Sequence, residues 1–130
     1  MPAKTITAAD QKRAAQVFNF FSALSVITVV PIALWFGASI FVYASIGHHP
    51  NPRVVDYLRP AGHRFYGYAG TLVVVLNFSS TMAKWAGGAW NLFWILWGIG
   101  LLTVVLPGIR DIFRAGKESW QDMTIEVEHA

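Results

Sequence analysis

Four histidines, His48, His49, His63 and His129, are the residues with the most obvious capacity for chemistry. Imidazole ligates haem and metals, so His48 or His49 with His63 is the pairing to consider. Adjacent histidines cannot both face one metal and both keep the outer contacts that orient a ligand. All four also lie outside the apolar stretches of the chain, where a haem held between helices would need them. They read as solvated histidines, and neither cofactor nor metal is expected. Cysteine is absent, which removes disulfides, thiolate ligands and thiol nucleophiles together. No glycine loop followed by Lys cradles a phosphate, and no Ser sits in a nucleophile motif. Carboxylate pairs for acid–base work are missing where they would be sheltered. The residue types point away from an enzyme.

The elements that would carry any site are three long apolar blocks. Residues Val17 to Ile46, Phe65 to Ala83 and Trp85 to Ile109 hold no Asp, Glu, Lys or Arg. A helix at a water-exposed surface keeps a polar face, and a chain of 130 residues cannot coat three such helices on every side. About 20 apolar residues suffice to cross a bilayer. The expected fold class is all-α: an integral membrane protein of two to three transmembrane helices in one domain. Its first helix is expected over about 17–46, a polar loop over 47–64, a second helix over about 65–83, a third over about 90–109 and a polar tail over 110–130. The first block is too long, and begins too late, for a cleaved signal sequence.

Thr7 or Asp10 could cap the stretch ahead of the first block. Pro31 falls inside that block and is expected to kink one continuous helix, with Thr28 helping to repair the lost hydrogen bond. Between the prolines of the 47–64 loop, Val54, Val55 and Leu58 recur at helical spacing, so a short amphipathic segment on the membrane surface is expected. Gly67 and Gly70 allow close helix packing, and Asn77 is expected to face another helix or subunit. The tryptophans and tyrosines read as interfacial anchors. The net charge of +3 comes from Lys and Arg flanking the blocks, with no basic run carrying interleaved aromatics, so nucleic acid is not an expected partner. With no ionisable residue inside the blocks, a transporter that carries its own ion is also disfavoured. If three helices span, Lys4, Lys12, Arg13 and Lys84 share one side and Arg53, Arg59, Arg64, Arg110, Arg114 and Lys117 the other. By charge counting that puts the N-terminus outside.

Phe20-Phe21-Ser22-Ala23-Leu24, followed by Ile27 to Phe36 with Pro31 in the middle, resembles the first helix of the V-ATPase assembly integral membrane protein family. Phe65-Tyr66, the small step at Ala69-Gly70, Leu72 to Val75 and Asn77 are similar to its second helix. The resemblance covers Phe18 to Ala83, and the chain adds a third apolar block beyond it. It implies a non-enzymatic chaperone in the endoplasmic reticulum membrane, an assembly factor that packs against the proteolipid ring of the proton-pumping V-ATPase. On that reading Phe20, Phe21, Pro31, Trp35, Phe36, Gly70 and Asn77 form the partner-packing set. The alternative is a small accessory subunit of a respiratory or photosynthetic complex in an energy-transducing membrane. On either reading the partners are other membrane-embedded subunits and the lipid bilayer.

Overall fold

A computed structural model describes residues 3–126. The chain is all-α apart from one short two-stranded sheet. Helix α1 spans Ala8–Thr28, α2 Ile32–Gly47, α3 Pro52–Asn77, α4 Ser79–Ala86, α5 Ala89–Gly100 and α6 Leu106–Lys117, with a π-turn at Leu101–Val105 joining the last two. Strands β1 (Ala3–Ile6) and β2 (Met123–Glu126) pair antiparallel, Ala3 opposite Glu126, and so tie the two ends together.

The first apolar block is two helices, not one kinked helix. Proline has no N–H and pushes the residue before it out of the helical region. Helix α1 therefore stops at Thr28, and Pro31 opens α2, where its missing donor costs nothing. Val30 N–H donates to the Thr28 carbonyl at 2.7 Å, closing a three-residue turn around Val29, whose φ is 67°. Helix α2 then runs back along α1: Trp35 meets Phe18 and Phe21 near the turn, and Tyr43 meets Phe18 farther down.

The expected 47–64 loop is also mostly helix. Asn51 caps α3 by accepting from Arg53 N–H at 2.9 Å, Pro52 fills its first turn, and the helix continues through Pro60. Val54, Val55 and Leu58 do form an amphipathic helical face, but they are buried against the bundle and do not lie out on a surface. Asn77 ends α3, and the short α4 packs on α5 across Gly87-Gly88. Both glycines take positive φ, at 89° and 135°, which side-chain-bearing residues seldom do. The third block is longer than the apolar stretch suggested, because Ala89–Lys117 forms one continuous helical rod. Pro107 cannot bond to the Thr103 carbonyl, and the π-turn just before it takes up that mismatch. The expected polar tail from 110 onward is helix as far as Lys117, then strand.

The result is an up-down bundle centred on α1, which touches α2, α3 and the α5–α6 rod. Gly100 marks the closest approach: a Cβ there would lie 2.7 Å from Val26 Cγ1 and from Tyr68 Cζ. Aromatic rings of Phe18, Trp35, Tyr43, Phe65 and Tyr66 stack edge to face through the middle. Along α1 the uncharged polar residues Gln11, Asn19, Ser22 and Ser25 are buried, while Phe20, Phe21, Leu24 and Ile27 point out.

Candidate functional site

The buried polar groups pair with one another across helices. Trp35 Nε1 donates to Ser22 Oγ at 2.9 Å, Ser39 and Tyr66 share a hydrogen bond of 2.9 Å, and Tyr68 donates to the Leu96 carbonyl at 2.8 Å. At the end where the strands pair, Gln11 Nε2 donates to the Gln121 carbonyl at 2.7 Å and its oxygen accepts from Asn51 at 2.6 Å.

One level into the bundle from there lies a charged cluster. Asp111, whose side chain is 6% exposed, accepts from Arg64 at 2.8 Å, with Arg64 itself 19% exposed. Arg64 also donates to Asn19 Oδ1 at 3.1 Å. Arg110 and Arg114, both well exposed, approach the other Asp111 oxygen at 3.5 and 3.8 Å. Arg64 Nε and Asn19 Nδ2 find no acceptor, so donors outnumber acceptors here. Beside it, Arg53 pairs with Glu118 and with Asp56, and Tyr57 donates to Glu118 at 2.5 Å. Burial raises the Glu118 carboxyl, but the hydrogen bonds from Arg53 and Tyr57 outweigh it and hold the group below the ordinary carboxylate range. Sequence reading missed this cluster. Asn19, an amide inside a charge-free block, was the available signal.

The expected packing residues fall in different places. Phe20, Phe21 and Phe36 are outward and exposed. Trp35 is buried in the intramolecular core, and Pro31 sits in the α1–α2 turn rather than on a helix face. Gly70 is exposed with open space around it, as is Gly67. On α3 the exposed residues Gly67, Gly70, Thr71, Val74 and Asn77 recur every three or four positions and share one outward face. Asn77 Nδ2 donates to the Val73 carbonyl of its own helix at 2.9 Å, and among the described residues none donates to its oxygen.

The α1–α2 turn ends level with Trp97, whose Nε1 donates to the Ile27 carbonyl at 3.2 Å. The rod continues about 10 Å farther, to Trp90. An apolar cavity of about 220 Å³ opens in the step this leaves, between Val29, Ile32, Leu72, Val75 and Phe93. His48 and His63 are exposed, and His63 is on α3 rather than in a loop. His129 lies outside the described residues. Among the described residues no three of His, Cys, Asp and Glu converge as a metal site would require. No family model, curated protein or solved structure matches the chain.

Proposed function

We propose that this chain is a four-helix integral membrane protein that performs no chemistry itself and acts by packing against another membrane-embedded subunit, as an assembly factor or accessory subunit. The observation that carries this is an inverted distribution of polarity. Large apolar side chains, among them Leu34, Phe41, Leu76, Trp90, Leu102 and Phe113, stand exposed on every side of the bundle, while amides, hydroxyls and an ion pair are enclosed. In water that arrangement exposes far more contiguous apolar surface than a monomer tolerates. In a bilayer it is the favourable one, since polar groups must find partners inside. Ala89–Lys117 is by itself long and apolar enough to cross a membrane. Its charge-free part, Ala89 to Ile109, measures about 31 Å, close to the thickness of a hydrocarbon core. The α1–α2 hairpin would reach most of the way across and turn within it.

Charge then orients the bundle. Of ten Lys and Arg, only Lys84 lies at the α4–α5 end, and the other nine flank the end where β1 meets β2. The positive-inside rule places that end, with the His48–Asn51 turn, in the cytoplasm. This reverses the orientation expected from three spans, because splitting the first block moves Lys84 away from every other cation.

For the partner contact, the outward face of α3 supplies two glycines that admit a second helix closely, and Asn77 supplies an unspent carbonyl oxygen. The first-helix segment of the V-ATPase resemblance lies on two helices either side of a turn, so the coarser role is the one proposed, with the proteolipid ring as its most specific form. Gentle detergent extraction followed by mass spectrometry of co-purifying proteins tests it. Recovery of V-ATPase proteolipids without the soluble motor would establish the assembly-factor form. Haem- or quinone-bearing subunits would establish the accessory form, and a protein recovered alone from several mild detergents would refute both.

A further inference from the structure

The geometry points to a binding site for the phosphate of an anionic phospholipid in the cleft between α3 and α6. This rests on the membrane reading above. The cleft, about 120 Å³, is lined by Arg53, Arg64, Arg110 and Arg114, with Asp56 and Asp111 as its acidic residues. Arg64, Arg110 and Arg114 all lie within 4 Å of the one Asp111 carboxylate, which can neutralise one of them. Arg53 has two carboxylates beside it, Glu118 and Asp56, so four guanidiniums face three carboxylates in all. The cluster therefore carries uncompensated positive charge, and Arg64 Nε and Asn19 Nδ2 without acceptors show the same shortage of anionic oxygen.

Position identifies the anion. The cleft opens at the level where the charge-free part of the rod ends, at Ile109, so it faces the headgroup layer of the leaflet that the nine flanking cations select. On α6, Arg110 and Arg114 are one turn apart, and the exposed Leu106, Ile109 and Phe113 run alongside them. A phosphodiester held between the two arginines would lay its acyl chains on that apolar strip, with guanidinium forks matching the phosphate oxygens. Basic pockets between helices on the cytoplasmic side are suited to such headgroups. A dissolved phosphate satisfies the same forks but makes no use of the strip.

The test is a thermal-stability titration of the purified protein in an uncharged maltoside detergent with dioleoyl-phosphatidylglycerol, dioleoyl-phosphatidylcholine or sodium phosphate. Phosphatidylglycerol should stabilise at lower concentration than either of the others. Each interfacial arginine is worth roughly fivefold in anionic-lipid binding, so Arg110→Gln with Arg114→Gln should raise the half-maximal concentration roughly 25-fold. Both side chains are about 60% exposed, so the variant is expected to fold. Lys12→Gln with Arg13→Gln, charges at the same end but off the cleft, should leave the midpoint unchanged. Equal stabilisation by phosphatidylcholine, an equal loss in the Lys12/Arg13 variant, or saturation by phosphate alone would each overturn the site. An alkaline carbonate wash separates the two readings. Release of the protein from membranes refutes embedding and the lipid site with it. Retention without phosphatidylglycerol selectivity refutes the site alone.

Discussion

Asp111→Asn is the substitution with the largest reasoned effect. It removes the charge that three guanidiniums share and leaves Arg64, four-fifths buried, without the counter-ion that stood at 2.8 Å. Breaking a buried pair in this way costs about 3–5 kcal/mol. Arg110 and Arg114 are about 60% exposed and can turn to water, so the lower figure, about 3 kcal/mol, applies. The reverse truncation, Arg64→Met, should be milder at about 1.5 kcal/mol, since Asp111 keeps two other arginines. Combined, the two should cost about 2 kcal/mol, less than their sum, giving a coupling of roughly 2.5 kcal/mol. The assay is reversible unfolding in mixed micelles as the SDS fraction rises, followed by the fluorescence of the six tryptophans. An Asp111→Asn variant within about 0.5 kcal/mol of the parent, or strictly additive effects, would refute the idea that the cluster holds α1, α3 and α6 together.

Other variants probe separate contacts. Gly100→Ala forces a methyl to 2.7 Å from Val26 and Tyr68 and should cost about 1–3 kcal/mol in the same assay, whereas Gly37→Ala, with open space around it, should be close to neutral. Val29→Gly relieves a β-branched residue at φ 67° and should stabilise by about 1 kcal/mol; a lowered unfolding midpoint would show that the turn is not strained. Glu118 titrates lower in the folded chain than its ordinary value of 4.5, so its contribution is present above that pH and fades as the pH falls through the folded value. Glu118→Gln should flatten this acid limb of a stability–pH curve, and an unchanged limb would exclude the Arg53–Tyr57–Glu118 contact as its source. Asn77→Leu should weaken partner co-purification, by about 0.6–2 kcal/mol of contact, while membrane insertion stays intact.

What the residues disclosed in advance depended on the length scale of the signal. The charge-free blocks are long and unambiguous, so helix content and the long rod near 90–109 could be read directly. The first block was misread because Pro31 fits both a kink and a turn. Its length was the deciding clue: about 45 Å of helix is far more than one bilayer crossing requires. The charged end was read as loop and tail because Pro50, Pro52 and Pro60 and the alternating charges resemble a connector. Only tertiary packing, with Val54 and Leu58 against α1 and Ala115 against the same layer, makes helix the better state there. The arginine cluster joins residues 19, 64 and 111, which no local spacing connects. Trp35 looked available for a partner until the reversal at Val29 turned it onto Ser22.

The sidedness of four positions tests the central claim most directly. The chain has no cysteine, so single cysteines introduced at Thr7, His48, Gly88 and Ser119 can be labelled with a membrane-impermeant maleimide in sealed vesicles whose cytoplasmic face points outward, and again after the membrane is opened. A four-helix bundle with its cationic end in the cytoplasm predicts labelling of sealed vesicles at positions 7, 48 and 119, with position 88 reacting only after opening. Position 48 reacting from the opposite side to position 7 would mean that the first block crosses as one helix, and would contradict the account.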